Sequence, residues 1–244
     1  MDNNYTLIMP MLGRLDEKQM PLQYQYDKHG NMNCLNSLFN INTEIFSDVY
    51  FIVSEKHDKL FNISNKIEAE LEPCHFNFDY HIEVTSINTH SQAETIYQVL
   101  KKMNNDITGP IFIKDADNTC LCKNLIKGNS VLVYSLENTP IVDPLHKSYI
   151  NIDEQNFITN IIEKRVVSGL FNCGGYSFAD ANDFIEAYEA LTVYENLNAD
   201  IPVHMYISHI IYWLILNKNA KFRPIIADWY NDYEINDKLN NILI

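Results

Sequence analysis

Between residues 82 and 113 the hydrophobic period changes twice, and this constrains the fold more than any other feature of the chain. "IEVTSI" (82–87) is a β-rich run. "SQAETIYQVLKKM" (91–103) then sets Ala93, Ile96, Tyr97, Leu100 and Met103 at i, i+3, i+4, i+7 and i+10, one face of a helix. Ser91 and Glu94 make an S-x-x-E capping box at its start. "IFI" (111–113) returns to strand. Strand, helix, strand in this order predicts a right-handed parallel crossover. Sheets of that kind take ligands at the carboxyl ends of their strands.

Earlier runs extend the pattern. "YTLIMP" (5–10) predicts a first strand ended by Pro10, and "VYFIV" (49–53) is an unbroken apolar strand buried on both faces. The second half is more mixed. "VLVYSL" (131–136) predicts a strand, and "SYINIDEQNFITNIIEK" (148–164) predicts an antiparallel pair around a turn at Asp153–Asn156. "GLFNCGGYSF" (169–178) predicts a strand that Gly174 and Gly175 break or open to a ligand. "ANDFIEAYEAL" and "VHMYISHIIYWLILN" read as helices, and "FRPIIADWY" (222–230) as a strand bearing Asp228. The expectation is one α/β domain over residues 1–244, with halves 1–130 and 131–244.

Composition narrows the partners. With 46% hydrophobic residues the chain is globular, and a formal charge of −14 opposes nucleic acid and anionic membranes. A small phosphorylated ligand stays compatible if local cations, a helix N-terminus or a bound metal meet it. The five cysteines show neither a disulfide framework nor zinc spacing, and the first residues do not resemble a secretory signal. A cytoplasmic location is the expectation. The apolar helix around Tyr206–Leu216 fits either a core helix or the face of a homodimer. The eight histidines have no ligand spacing and suit surface or capping roles.

"IFIKDADNTC" (111–120) raises the chemical question, because two carboxylates, Asp115 and Asp117, leave a buried strand together. In an extended segment they point the same way. A divalent cation would use such a pair, and so would a solvated turn or an Asx cap.

"IMP" with "LGR" (12–14), "PL" (21–22), "QAET" (92–95), "IKDADN" (113–118), "ITNIIEK" (158–164), "NCGGYSF" (172–178) and "ADWY" (227–230) occur in an order that resembles the sugar-phosphate nucleotidyltransferases. The resemblance implies a Rossmann-like, mixed but mostly parallel sheet flanked by helices, with an antiparallel sugar-binding part in the second half. It implies transfer of a nucleotidyl group from an NTP to a sugar phosphate or related phosphorylated alcohol, with Mg²⁺ and release of pyrophosphate, for glycan precursors. It makes Asp117 and Asp228 the metal ligands, with Asp115 completing the pair. Leu12, Gly13, Gln92 and Asp115 would face the nucleotide. Glu163 and Lys164 would hold the sugar and its phosphate, over Gly174 and Gly175.

The loop "MLGRLDEKQMPL" departs from that family's pattern. It has one glycine, carries Asp16 and Glu17, and has Met20 where a lysine is expected before Pro21. Arg14 and Lys18 are left to act on the phosphates. Three readings are open: a nucleotidyltransferase with a remodelled loop, a glycosyltransferase-like enzyme using Asp115 and Asp117, and a catalytically silent binding relative.

Overall fold

The structure is a computed structural model that describes residues 5–13, 19–103, 107–139, 142–197 and 204–235. In chain order its elements are β1 (Tyr5–Met11), α1 (Asn33–Phe39), β2 (Phe46–Ser54), α2 (Glu55–Phe61), α3 (Ile63–Leu71), β3 (Asp79–Thr85) and α4 (Gln92–Lys102). There follow β4 (Ile111–Lys114), β5 (Asn118–Leu121), β6 (Ser130–Ser135), β7 (Ser148–Ile152), β8 (Ile158–Glu163) and β9 (Leu170–Phe178). The last are α5 (Ala181–Leu197), α6 (Ile207–Lys218), β10 (Arg223–Ile226) and β11 (Trp229–Asp232).

The first half forms the expected parallel sheet. β1 pairs in parallel with β2 and β4, and β2 with β3, so the strands run β3-β2-β1-β4. The direction of winding reverses between β1 and β4, which opens a crevice at their carboxyl ends. β9 lies antiparallel between β4 and β6, β10 adds to β6 in parallel, and β7 joins β9 to β8. The sheet is therefore mixed, and its antiparallel part falls in the second half as expected.

Both faces of the sheet are buried. Leu7, Met9, Val49, Phe51 and Phe112 pack on the side of α1 and α3. Ile8, Ile52, Ile111 and Ile113 pack on the opposite side with Ala93, Ile96 and Leu100 of α4 and with α5 and α6. This double burial explains why β1, β2 and β4 read as apolar runs without alternation. On α6, Ile207, Ile210, Ile211 and Leu214 are buried while Tyr212 and Leu216 are exposed. That helix is a core element on one face.

Three local expectations are corrected. Pro10 does not end β1, which runs on to Met11. β4 pairs with β1 only at Thr6–Ile8, so Pro10 lies where that side of the strand needs no amide donor. The stretch 222–230 is not one strand. β10 stops at Ile226, and β11 turns away to pair antiparallel with β5 in a separate two-stranded ribbon. The glycines do not break β9, which is continuous from Leu170 to Phe178 and shifts register opposite Val131–Val133.

Candidate active site

β4 delivers its chain to the crevice through a clasped turn. Lys114 is wholly buried, and its ammonium donates to the carbonyl oxygen of Asp115 (2.9 Å) and to the carbonyl and side-chain oxygens of Asn118 (3.2 and 2.9 Å). One cation thus binds both ends of the Asp115–Asn118 turn. Ser37 on α1 donates to the Asn118 carbonyl from the other side. A buried ammonium with three acceptors is fully satisfied, which makes the turn costly to open.

Gly174 on β9 makes room for the first carboxylate. Its carbonyl accepts from the amide of Asp115 at 2.8 Å. Its φ is +77°, and a Cβ there would stand 2.5 Å from Asp115 Oδ2 and 2.6 Å from Asn118 Nδ2. The carboxylate of Asp115 therefore occupies the space that any side chain at 174 would claim. Gly175 differs from its expected role: its missing side chain faces the core, where a Cβ would collide with Leu132.

Asp115 and Asp117 both line the cleft. Asp115 Oδ1 accepts from Gln92 Nε2 at 2.5 Å, so the first residue of α4 orients the first carboxylate. Ser91 caps that helix by accepting from the Glu94 amide, and Glu94 reaches back to the His90 amide at 2.7 Å. Asp117 opens onto the cleft, yet protein crowds it. That desolvation, then the charge of Asp115, push its pKa up to about 6; Lys147 and Lys114 oppose the shift and Asp232 adds to it.

The carboxylate that joins Asp117 from the end of the chain is Asp232, not Asp228. On β11, Asp232 pairs with Asn118, the neighbour of Asp117, and the Tyr233 amide points to the Asp117 carbonyl at 3.4 Å. Asp228 precedes β11, is exposed, and donates its amide to Leu121. Four residues of extended chain span roughly 13 Å, too far for the two positions to serve one ion. Lys147 completes this wall, donating to Asp232 Oδ2 and to the Tyr230 hydroxyl, both at 2.6 Å. The Lys147 charge and that hydrogen bond hold the Asp232 carboxyl below its usual range against the opposing effect of burial.

The opposite wall comes from β7, β8, β9 and the start of α6. Glu163 accepts from Ser208 Oγ at 2.8 Å, and burial raises its pKa against that bond. Asn172 donates to Ser148 Oγ (3.2 Å) and the Tyr176 hydroxyl (2.6 Å), while its oxygen accepts from the Gly174 amide (2.9 Å). This last bond lies within β9 and fixes the backbone at Gly174. Lys164 turns toward the rim: its ammonium donates to the Tyr206 hydroxyl at 2.6 Å and lies over that ring, outside the cleft lining.

Leu12 and Gly13 follow β1 at the crevice, with Gly13 at φ +39°. Arg14 and Lys18 lie outside the described residues. Met20 packs against the core, and Lys66 of α3 approaches its sulfur at 3.9 Å.

Three residues that matter here were not singled out from the sequence. Lys114 could have been suspected, since a lysine inside an apolar run must find acceptors. Asp232 sits two residues after the buried Tyr230, and this alternation was its only signal. Lys147 had none.

No family model matches the sequence, and no curated protein does. Solved structures do match over nearly the whole chain. A nucleoside-diphosphate-sugar pyrophosphorylase from Vibrio cholerae RC9 aligns over 97% of this chain and 99% of its own, with TM-score 0.72 and 18% identity. The fold is that of the sugar-phosphate nucleotidyltransferases. An inositol-1-phosphate CTP transferase from T. maritima aligns over 98% and 97%, with TM-score 0.63 and 13% identity. A UDP-glucose pyrophosphorylase complexed with UDP-glucose aligns over 98% and 99%, with TM-score 0.63 and 12% identity. Among the described residues no helix is long and apolar enough to cross a membrane.

Proposed function

We propose that the cleft transfers a nucleotidyl group from an NTP to a phosphorylated sugar or alcohol and releases pyrophosphate. The observation that carries this reading is that Asp117, after β4, and Asp232, on β11 beside Asn118, line one cleft at the β1–β4 switch point. Carboxylates from two distant segments line one cleft, and crowding raises the pKa of Asp117, so a cation would relieve the site.

The donor set suits Mg²⁺. It is hard and all-oxygen, and because among the described residues no group of three or more His, Cys, Asp or Glu could hold an ion alone, water and phosphate oxygens would have to complete the shell. Magnesium is commonly held by one or two carboxylates, with water and substrate phosphates filling the rest. Asp117 and Asp232 would hold the ion, with Asp115 beside them. The bound ion would neutralise charge that builds on the phosphates.

The rest falls to the chain's own groups. An oxygen of the acceptor's phosphate attacks the α-phosphorus, a new P–O bond forms, and the α–β bond breaks. The bonding pair leaves with pyrophosphate. The protein's part is alignment and charge compensation. Gln92 fixes Asp115, and Leu12, Gly13 and Gln92 face the nucleotide. Arg14 and Lys18 are assigned to its phosphates. Glu163 accepts hydroxyls from the acceptor, Ser208 and Asn172 orient that wall, and Gly174 keeps the Asp115 pocket open. The products would be activated sugars or alcohols for glycan assembly in the cytoplasm.

The test incubates the protein with each NTP, Mg²⁺ and a panel of sugar and polyol phosphates while pyrophosphate is followed. Mg²⁺-dependent release that needs both substrates supports the reading. Turnover of UDP- or GDP-sugars without pyrophosphate would make the protein a glycosyltransferase instead. Thermal stabilisation by nucleotide with no turnover would make it a binding protein.

A further inference from the structure

The cleft has a charge problem that the roles above leave open. Its described lining contains six carboxylates, those of Asp115, Asp117, Asp143, Glu163, Asp232 and Glu234. The same lining contains one lysine and no arginine, and the lysine is Lys147. An acceptor phosphate entering beside Asp117 meets this field. A metal shared with the nucleotide offsets part of it, and a local cation must offset more.

We infer that Lys147 is the phosphate-holding cation of the acceptor site, kept in place by Asp232 and Tyr230 until the acceptor binds. This rests on the transferase reading and extends it to a residue that no motif marked. The side chain of Lys147 is only 14% exposed, and it lines the cleft beside Asp232. Its backbone is pinned as well, because the Lys147 carbonyl accepts from the Lys164 amide at 2.9 Å, next to Glu163. It also lies 5.2 Å from the centre of the Tyr230 ring. Lys164, the cation the sequence pointed to, is committed to Tyr206 at the rim.

The two bonds of Lys147 explain how the exchange works. A lysine ammonium has three donors, and two of them are used by Asp232 and Tyr230. When a cation takes the Asp232 carboxylate, that donor is released and needs a new acceptor. A phosphate oxygen supplies one, while the Tyr230 hydroxyl keeps the ammonium positioned. Cation and acceptor phosphate therefore favour each other's binding through one shared side chain. A purely structural ion pair would show no such coupling.

Calorimetry with Mg²⁺ and inorganic phosphate, without nucleotide, tests this apart from turnover. Lys147→Met should weaken phosphate binding at least tenfold in saturating Mg²⁺ and abolish the mutual enhancement of Mg²⁺ and phosphate. Lys101→Met, which removes a surface charge paired with Glu189, controls for net charge and should change phosphate binding less than twofold. Should Lys147→Met fail to fold, Lys147→Gln keeps a donor for Asp232 and should show the same loss. Phosphate affinity and coupling left intact in a folded Lys147 variant would overturn the inference, even if nucleotidyl transfer is demonstrated. Their loss in a protein without transfer would leave the phosphate site standing and remove only the reaction.

Discussion

The two walls of the cleft are built to different standards. On the carboxylate wall the turn and its flanking carboxylates are held: Lys114 clasps the turn at three oxygens, Gln92 holds Asp115, Gly174 makes space for it, Lys147 holds Asp232, and Asn118 donates to Asp117. On the acceptor wall Glu163 has Ser208 as its close partner and lies open to the cleft. The difference separates two tasks. Charge compensation needs carboxylates fixed before substrate arrives, because preorganisation is where such sites gain their rate. Acceptor selection needs groups that still have lone pairs to offer. Substitutions of the carboxylates on the first wall should therefore strike turnover, and those on the second wall, together with those of Lys147, should strike acceptor affinity.

The largest effect is expected at Asp117. Asp117→Asn should lower Mg²⁺-dependent transfer by about 10³-fold or more while circular dichroism shows an unchanged fold. Asp228→Ala, by contrast, should stay within about twofold of wild type, since that residue faces solvent away from the cleft. Equal losses in the two variants would erase the distinction between Asp232 and Asp228.

Gly174→Ala comes next. The added methyl would enter the space of the Asp115 carboxylate in a backbone conformation that alanine avoids. A drop of roughly 10²-fold in turnover and of about 5 °C in Tm is expected, read by pyrophosphate release and calorimetry. A neutral Gly174→Ala would show that the turn is looser than its bonds suggest.

Glu163→Gln should raise the KM for the acceptor about tenfold with little change in the KM for nucleotide, as loss of a charged hydrogen-bond acceptor would. If kcat falls instead, the acceptor wall is no mere selector.

The smallest effect concerns pH in the metal-free protein. The folded-state pKa of Asp117 is raised to about 6, so the native state holds this proton more tightly than the unfolded chain does. Its ionisation therefore costs stability as pH rises through 4 to 6, and the full cost is present at pH 7. In EDTA, Asp117→Asn should raise Tm by roughly 1–2 °C at pH 7 and by less at pH 5, allowing for solvent screening. The opposite order would mean that Asp117 is not crowded.

The sequence foretold the parallel half of the sheet because its strands are buried on both faces and read as solid apolar runs. It hid β5, since "NTCL" is too short and too polar to carry a period. It also hid the break between β10 and β11, because "RPII" and "WYND" flow together without a glycine or proline at the join. Asp228 stands out in the sequence because "ADWY" resembles the family's late Asp-Trp segment, while the hidden break conceals that Asp232 is the residue that reaches the cleft. Asp115 and Asp117 were visible as candidates because they leave a strand directly. Lys147 was invisible, since its role depends on β11 returning beside β5 and no local pattern encodes that return.

The most direct test is a crystal structure with Mn²⁺ and a non-hydrolysable NTP analogue, read by anomalous scattering. The expected result is a peak coordinated by the carboxylates of both Asp117 and Asp232, beside the nucleotide phosphates. A peak at Asp228, or a bound nucleotide with no ion between Asp117 and Asp232, would contradict it.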